Sequence, residues 1–283
     1  MLIYFQIIDG GVTDHWIHLE AARSLQKSRK KLSLTSRQTQ QLNTICSMLC
    51  LFAQTAIYNH SPLPWQPNVL AADEGMQDGF PVCVEFLYGT TSALTVAMFK
   101  TLRLSQCLNF YGNQPLPEAL LEACEDLHDE LLSWSIETEC FSTIETTDVN
   151  MMEMMRAQAV AFYNSTLIYY YRSIQKCHRR DLQKEQHEVL AAMNLVEDIK
   201  AAARDQRYWA APVTWPAFVA SCEAIDLDRD AWAKWWDRTQ HYRMSNYVKQ
   251  KSIIDSIWAR LDSHSTTDWR EILSSMGVRV IPV

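Results

Sequence analysis

The sequence predicts an all-α fold, one domain of packed antiparallel helices spanning residues 1–283. Seven glycines in 283 residues fall far below an average usage of about 7%, so hairpins and glycine-rich phosphate loops have few places to form. Apolar residues recur at helical spacing in segment after segment. No fixed-period repeat and no linker divides the chain.

Met1 to Ile8 is apolar, has no basic flank and is too short to span a bilayer; it reads as an opening core helix. From about Asp14 to Ser28, Trp16, Ile17, Leu19, Ala22 and Leu25 lie on or near one helix face. A polar break at 33–36 precedes a long, mostly apolar helix from Arg37 to Asn59. Residues 61–80, with Pro62, Pro64, Pro67, Gly75 and Gly79, form the only extended loop. A structureless connection of that length is uncommon in a compact domain, and such loops are often functional or mobile. Further helices are predicted at Val84–Leu108, Pro117–Ser135, Asn150–His178, Asp181–Tyr208, Trp215–Ile225, Asp228–Tyr242, Asn246–Asp262 and Thr267–Ser275. Thr214 is placed to cap the helix that Pro216 opens, and Asp226 or Asp228 to cap the next.

Composition narrows the function. Hydrophobic residues make up 48% and charged residues 21%, enough for a large core and a solvated exterior. A net charge of −7 with a pI near 5.6 makes a poor binder of phosphate backbones. The one basic run, Lys27-Ser28-Arg29-Lys30-Lys31, is a localisation or phosphate patch, or simply the cationic end of a helix complementing its dipole. Asn164-Ser165-Thr166 fits a glycosylation pattern but falls within a helix.

The residues that carry chemistry make no enzyme signature. Eight cysteines, at 46, 50, 83, 107, 124, 140, 177 and 222, include no C-x2-C pair and suit a reducing compartment. Cys46 and Cys50 lie one helical turn apart; half a metal site is one reading, buried structural cysteine the other. None of the eight histidines builds H-x3-H or H-E-x-x-H. Glu125-Asp126-Leu127-His128-Asp129-Glu130 resembles the magnesium motif of all-helical isoprenoid synthases. The second metal motif of that family is missing, so a solvated helix face is the competing reading. No catalytic residue and no metal ligand is therefore assigned. Aromatic and methionine density around Met151–Met155, Phe162, Tyr163 and Tyr169–Tyr171, with Trp209 and Trp215, reads as helix packing or as the lining of an effector pocket, for which Tyr163, Tyr170 and Trp209 are the candidates.

The most specific stretch is Thr214-Trp215-Pro216-Ala217-Phe218-Val219-Ala220-Ser221-Cys222-Glu223-Ala224, followed by Asp228-Arg229 and Trp232, Trp235 and Trp236. It resembles the C-terminal signature of the fungal-specific transcription factor domain, the regulatory region of binuclear zinc-cluster proteins. Glu85-Phe86-Leu87-Tyr88-Gly89 with Thr101-Leu102-Arg103-Leu104, then Ala161-Phe162-Tyr163 through Tyr171-Arg172 with Leu182-Gln183, and finally Asn246-Tyr247 through Trp258 with Asp268-Trp269-Arg270, are similar to other family segments, in the expected order. The resemblance makes Trp215, Pro216, Phe218, Cys222, Glu223 and Arg229 structural signature residues. It implies a nuclear regulator of RNA polymerase II transcription. Its partners would be a homodimer mate or transcription-machinery proteins, with a small-molecule effector in some members and no membrane. The six-cysteine zinc module of the family has no counterpart in this chain. Zinc is expected only with an upstream cluster, and direct DNA binding should be weak or absent. An isoprenoid-synthase-like enzyme and a protein-interaction scaffold are the alternatives. Trp215, Phe218 and Cys222 are expected to be buried, facing the helix of Trp232 and Trp236.

Overall fold

The computed structural model describes residues 14–29, 36–58, 61–71, 89–139, 141, 148–203, 211–263 and 268–283. Among them are ten α-helices and no strand. The first five are α1 (Asp14–Arg29), α2 (Arg37–Thr55), α3 (Ser92–Tyr111), α4 (Glu118–Ser133) and α5 (Val149–Tyr170). A π turn at Tyr171–Gln175 and a 3-10 turn at Arg179–Leu182 lead into α6 (Gln183–Ala202). The chain continues through α7 (Trp215–Glu223), α8 (Asp226–Thr239), α9 (Ser245–Ser263) and α10 (Trp269–Ser275).

Neighbouring helices run antiparallel. Met154 and Ala157, early in α5, pack with Val196 and Ile199, late in α6. In the α3–α4 pair, Lys100 meets Glu130 while Leu104 and Cys107 share a cluster with Leu120 and Cys124. The helix α7 sits at the centre: all nine of its residues are buried, and α5, α6 and α9 surround it. Seven of the nine residues of α7 are apolar and lie all round the helix, which places it inside the core; only Ser221 and Glu223 bring polar side chains with them.

Where boundaries differ from the sequence reading, local chemistry explains the difference. The helix expected from Val84 begins at Ser92, because Thr91 accepts a hydrogen bond from the Leu94 N–H and caps it there; residues 84–88 lie outside the described residues. The helix expected to reach Asn59 stops at Thr55, where Ile57 N–H turns back to the Gln54 carbonyl. The long helix expected to reach His178 changes to a π turn after Tyr170 and ends at Lys176, whose φ is +56°. Residues 204–208, read as the end of a helix, lie outside the described residues, as do Met1–Ile8. The loop read over 61–80 is anchored in its first part: Leu63, Trp65, Val69 and Leu70 pack against the α3–α4 cluster, and Leu63 N–H donates to the Gln106 carbonyl. Residues 72–80 lie outside the described residues.

Gly89 is held by two constraints. Its φ is +69°, and a Cβ there would lie 2.5 Å from Gln158 Oε1 and 2.9 Å from Gln158 Cβ. Gly89→Ala should therefore cost about 1–3 kcal/mol. A lower denaturation midpoint at unchanged slope is the expected reading, and an unchanged midpoint would remove the constraint.

Candidate functional site

The signature helix α7 is buried along its whole length. Trp215 stacks on Phe162 of α5, with ring centroids 5.6 Å apart, and on Phe52 of α2 at 5.9 Å. Its indole Nε1 donates to Thr55 Oγ1 at 2.8 Å, so the one polar atom of a fully buried ring is satisfied. Phe218 meets the edge of Trp269 on α10 at 5.7 Å. Trp215, Phe218 and Cys222 are all buried, as expected, but the expected partner is wrong for the two rings. The residue that meets the tryptophan helix is Ser221, whose Oγ accepts from Trp236 Nε1 at 2.9 Å and whose carbonyl accepts from Trp258 Nε1 at 2.8 Å. Helix periodicity fixes which residues share a face, not which neighbour covers it.

Two capping expectations are also corrected. Thr214 occupies the N-cap position without a side-chain cap; its hydroxyl donates instead to Gln250 Oε1 of α9 at 2.8 Å. Pro216 in the first turn removes one N–H that a cap would otherwise serve. At α8 the N-cap is Ile225, and no side chain caps it. Asp226 lies in the first turn with φ +41°, and Asp228 is drawn to His187 Nε2 at 2.8 Å. Arg229 joins the signature to α9: Nε donates to the Ala224 carbonyl at 3.2 Å, and both terminal nitrogens donate to Asp262 at 2.6 and 2.8 Å.

At the C-terminal end of α7, Glu223 enters a buried charge network. Glu223 Oε1 accepts from Arg172 Nε at 2.7 Å, and the two side chains are 1% and 7% exposed, so this pair sits where charge is costly. Arg172 lies on the π turn and also donates to the Cys177 carbonyl. Gln186 of α6 donates to the Glu223 carbonyl at 3.1 Å. Beside them Arg270 holds Asp268 through Nε at 3.0 Å and Nη2 at 2.7 Å, and its Nη1 donates to Ser173 Oγ at 2.8 Å. The network thus ties the π turn, α6, α7 and α10 together. Glu223 Oε2 has no hydrogen-bond partner among the described residues.

Burial pushes the Glu223 carboxyl above the usual range, only partly offset by Arg172. Asp268 is also opposed by burial, but the Arg270 guanidinium and its hydrogen bonds hold it below the ordinary value. The signs have opposite consequences. A raised Glu223 makes the folded state bind its proton more tightly, so its contribution is fully present at low pH and is lost as pH rises from the ordinary value of 4.5 through the raised one. Asp268 contributes above its ordinary value of 3.8 and loses that contribution as pH falls below it. The stability of the wild type relative to Glu223→Gln should therefore decline as pH rises from about 4.5. A difference that stays flat across denaturation curves from pH 4 to 8 would contradict the shift.

The other candidates fall elsewhere. Tyr163 stacks on Trp134 at 4.4 Å, and Tyr170 lies parallel to His128 at 5.4 Å while its hydroxyl donates to the Cys124 carbonyl at 2.8 Å. Burial raises the Tyr170 phenol to about 12. Both tyrosines border the α3–α4 cluster, two turns apart on α5; Trp209 lies outside the described residues. The acidic run on α4 is a solvated face: Glu125, Asp126, Asp129 and Glu130 are exposed, and Glu130 pairs with Lys100. Among the described residues no three His, Cys, Asp or Glu side chains gather as a metal site, and no helix is long and apolar enough to cross a membrane. Asn164 is buried with its Nδ2 donating to the Val160 carbonyl at 2.9 Å, which hides it from a glycosylating enzyme. The basic side chains of 27–31 lie outside the described residues.

These charges pair with one another inside the protein, so the site is a keystone of an all-helical domain, one that sets how helices meet. Residues 1–282 match the family model described as the fungal specific transcription factor domain, and the chain belongs to that family. That family is one of transcription-factor regulatory domains, not of enzymes. Neither a curated protein nor a solved structure matches the sequence.

Proposed function

We propose that this chain is the regulatory half of a fungal transcription regulator, resident in the nucleus and acting on RNA polymerase II transcription through protein partners. The observation that carries the proposal is the family match over residues 1–282; the central placement of the signature helix in one helical core supports it. In this reading the chain reaches its promoters through a homodimer mate, a partner or a zinc module carried outside these residues. It holds no zinc itself. A small apolar effector is part of the same reading, with Tyr163 and Tyr170 on α5 and Trp209 as its contacts.

Purified alone, the chain should bind duplex DNA at most weakly and with steep salt dependence, because a net charge of −7 opposes phosphate contact. Fused to an unrelated DNA-binding domain, it should change reporter transcription in a fungal host. Nanomolar, sequence-specific binding by the isolated chain, or a silent reporter with the fusion expressed, would overturn the proposal.

A further inference from the structure

The helix α4 buries Leu120, Cys124, Leu127 and Leu131 against the core, yet two further leucines stand at the surface. Leu121 is 45% exposed and Leu132 56%. They lie seven residues before and four residues after His128, so the three share one stripe of the helix. That stripe follows the edge of α4 nearest α5. His128 stacks on Tyr170 at 5.4 Å and meets Tyr171 at 5.8 Å, while Trp134, just past the helix, stacks on Tyr163 at 4.4 Å. Trp134, Tyr163 and Tyr171 are half-buried, so each leaves part of its ring at the surface. From Leu121 to Leu132 the strip is about 16 Å long, at about 1.5 Å per residue.

An acidic row runs beside this strip, on the side away from α5. Glu118, Glu122, Glu125 and Asp129 succeed one another at helical spacing, and all four are exposed. With Asp126 and Glu130 they make α4 a helix of six carboxylates without a lysine or arginine, in a chain whose whole net charge is −7. We propose that this edge of α4 is the docking site for a basic amphipathic helix of a partner protein.

The proposal rests on the reading of the chain as a regulator that acts through protein partners, and it gives one partner its chemistry. An apolar strip three turns long and open along its length matches the apolar face of a helix, which offers anchors at successive turns. The carboxylates along one margin fix the sign of the charges that must flank those anchors: lysines or arginines on the facing margin of the partner. The same row disfavours other occupants. A nucleic acid or an anionic membrane would set phosphates against the carboxylates. A second copy docked by this face would oppose one α4 to another, acid against acid. The carboxylates are also strung along the helix, and among the described residues no three His, Cys, Asp or Glu side chains gather as a metal site.

The test titrates the purified full chain into a fluorescein-labelled model helix of leucine and lysine, its leucines on one face, and reads anisotropy at physiological salt. About fifteen residues give the peptide the length of the strip. The expected result is a dissociation constant in the micromolar range that weakens as salt rises, with a scrambled isomer of the same charge binding about tenfold less tightly. Because both leucines are exposed, Leu121→Ser/Leu132→Ser should keep the melting temperature of the wild type and lose about tenfold in affinity. Glu122→Gln/Glu125→Gln/Asp129→Asn should weaken binding and flatten its salt dependence. Asp230→Asn/Asp237→Asn, which removes exposed acids from α8, should do neither. No binding, equal binding of the scrambled isomer, or binding indifferent to the leucine pair would overturn the proposal. So would self-association of the chain that the leucine pair abolishes, which assigns the strip to a second copy. The outcome separates from the reading beneath it. A silent reporter fusion with the peptide still bound overturns the transcriptional reading alone, and an active fusion without peptide binding overturns this surface alone.

Discussion

Arg172→Ala should cost about 3–5 kcal/mol of stability, the usual penalty for stranding one member of a buried ion pair. The side chain removed touches Glu223 Oε1 and the Cys177 carbonyl, and the carboxylate left behind is 1% exposed. Glu223 Oε2 already lacks a partner among the described residues, so the whole carboxylate would depend on more distant charge. The pair itself should contribute little net stability, since the cost of desolvating two buried charges offsets most of their attraction. The double variant Arg172→Met/Glu223→Leu should therefore recover much of the loss, since apolar groups of similar volume need no compensation. Urea unfolding of the wild type, the single variant and the double variant is the measurement. A single-variant loss below about 1 kcal/mol would show a pair open to solvent and remove the keystone role.

The sequence and the structure agree best where the argument is local. Helical spacing finds α4, α7 and α9 to within a residue or two at most ends, since apolar faces and a first-turn proline are written in consecutive residues. The single-residue identities of Arg172, Glu223 and Arg270 were visible in the segments that resemble the family. Their convergence was not. Arg172 and Glu223 are 51 residues apart, and Arg270 and Ser173 are 97, and no periodicity within one helix reports a contact at that range. The facing of α7 is illegible for the same reason: α2, α5 and α10, not the next helix in sequence, supply the rings that touch Trp215 and Phe218. Threonine and aspartate at helix starts favour capping, but Thr214 and Asp228 have tertiary partners in Gln250 and His187, and these take their side chains.

The pairing of α2 with α7 makes Trp215 the residue whose loss should be felt most widely. Trp215→Ala removes a ring that is 0% exposed and that forms a three-ring cluster with Phe52 and Phe162, whose own centroids lie 6.1 Å apart. It also takes away the donor to Thr55 Oγ1, whose own hydroxyl remains bonded to the Phe52 carbonyl at 2.7 Å. Truncating a buried tryptophan costs about 3–5 kcal/mol, because the lost transfer energy is joined by a cavity that rigid neighbours cannot fill. For a chain of this size that corresponds to a fall in melting temperature of about 6–20 °C. Trp215→Phe separates the two contributions. It keeps a ring against the aromatic neighbours and loses the N–H, so its cost should be smaller, about 1–3 kcal/mol. Because α2, α5 and α7 meet at this one side chain, the alanine variant should lower the single unfolding transition of the core and not create an early local one. Calorimetry distinguishes the two: a melting temperature unchanged by Trp215→Ala would place α7 outside the cooperative core, and with it the signature as a structural keystone would fall.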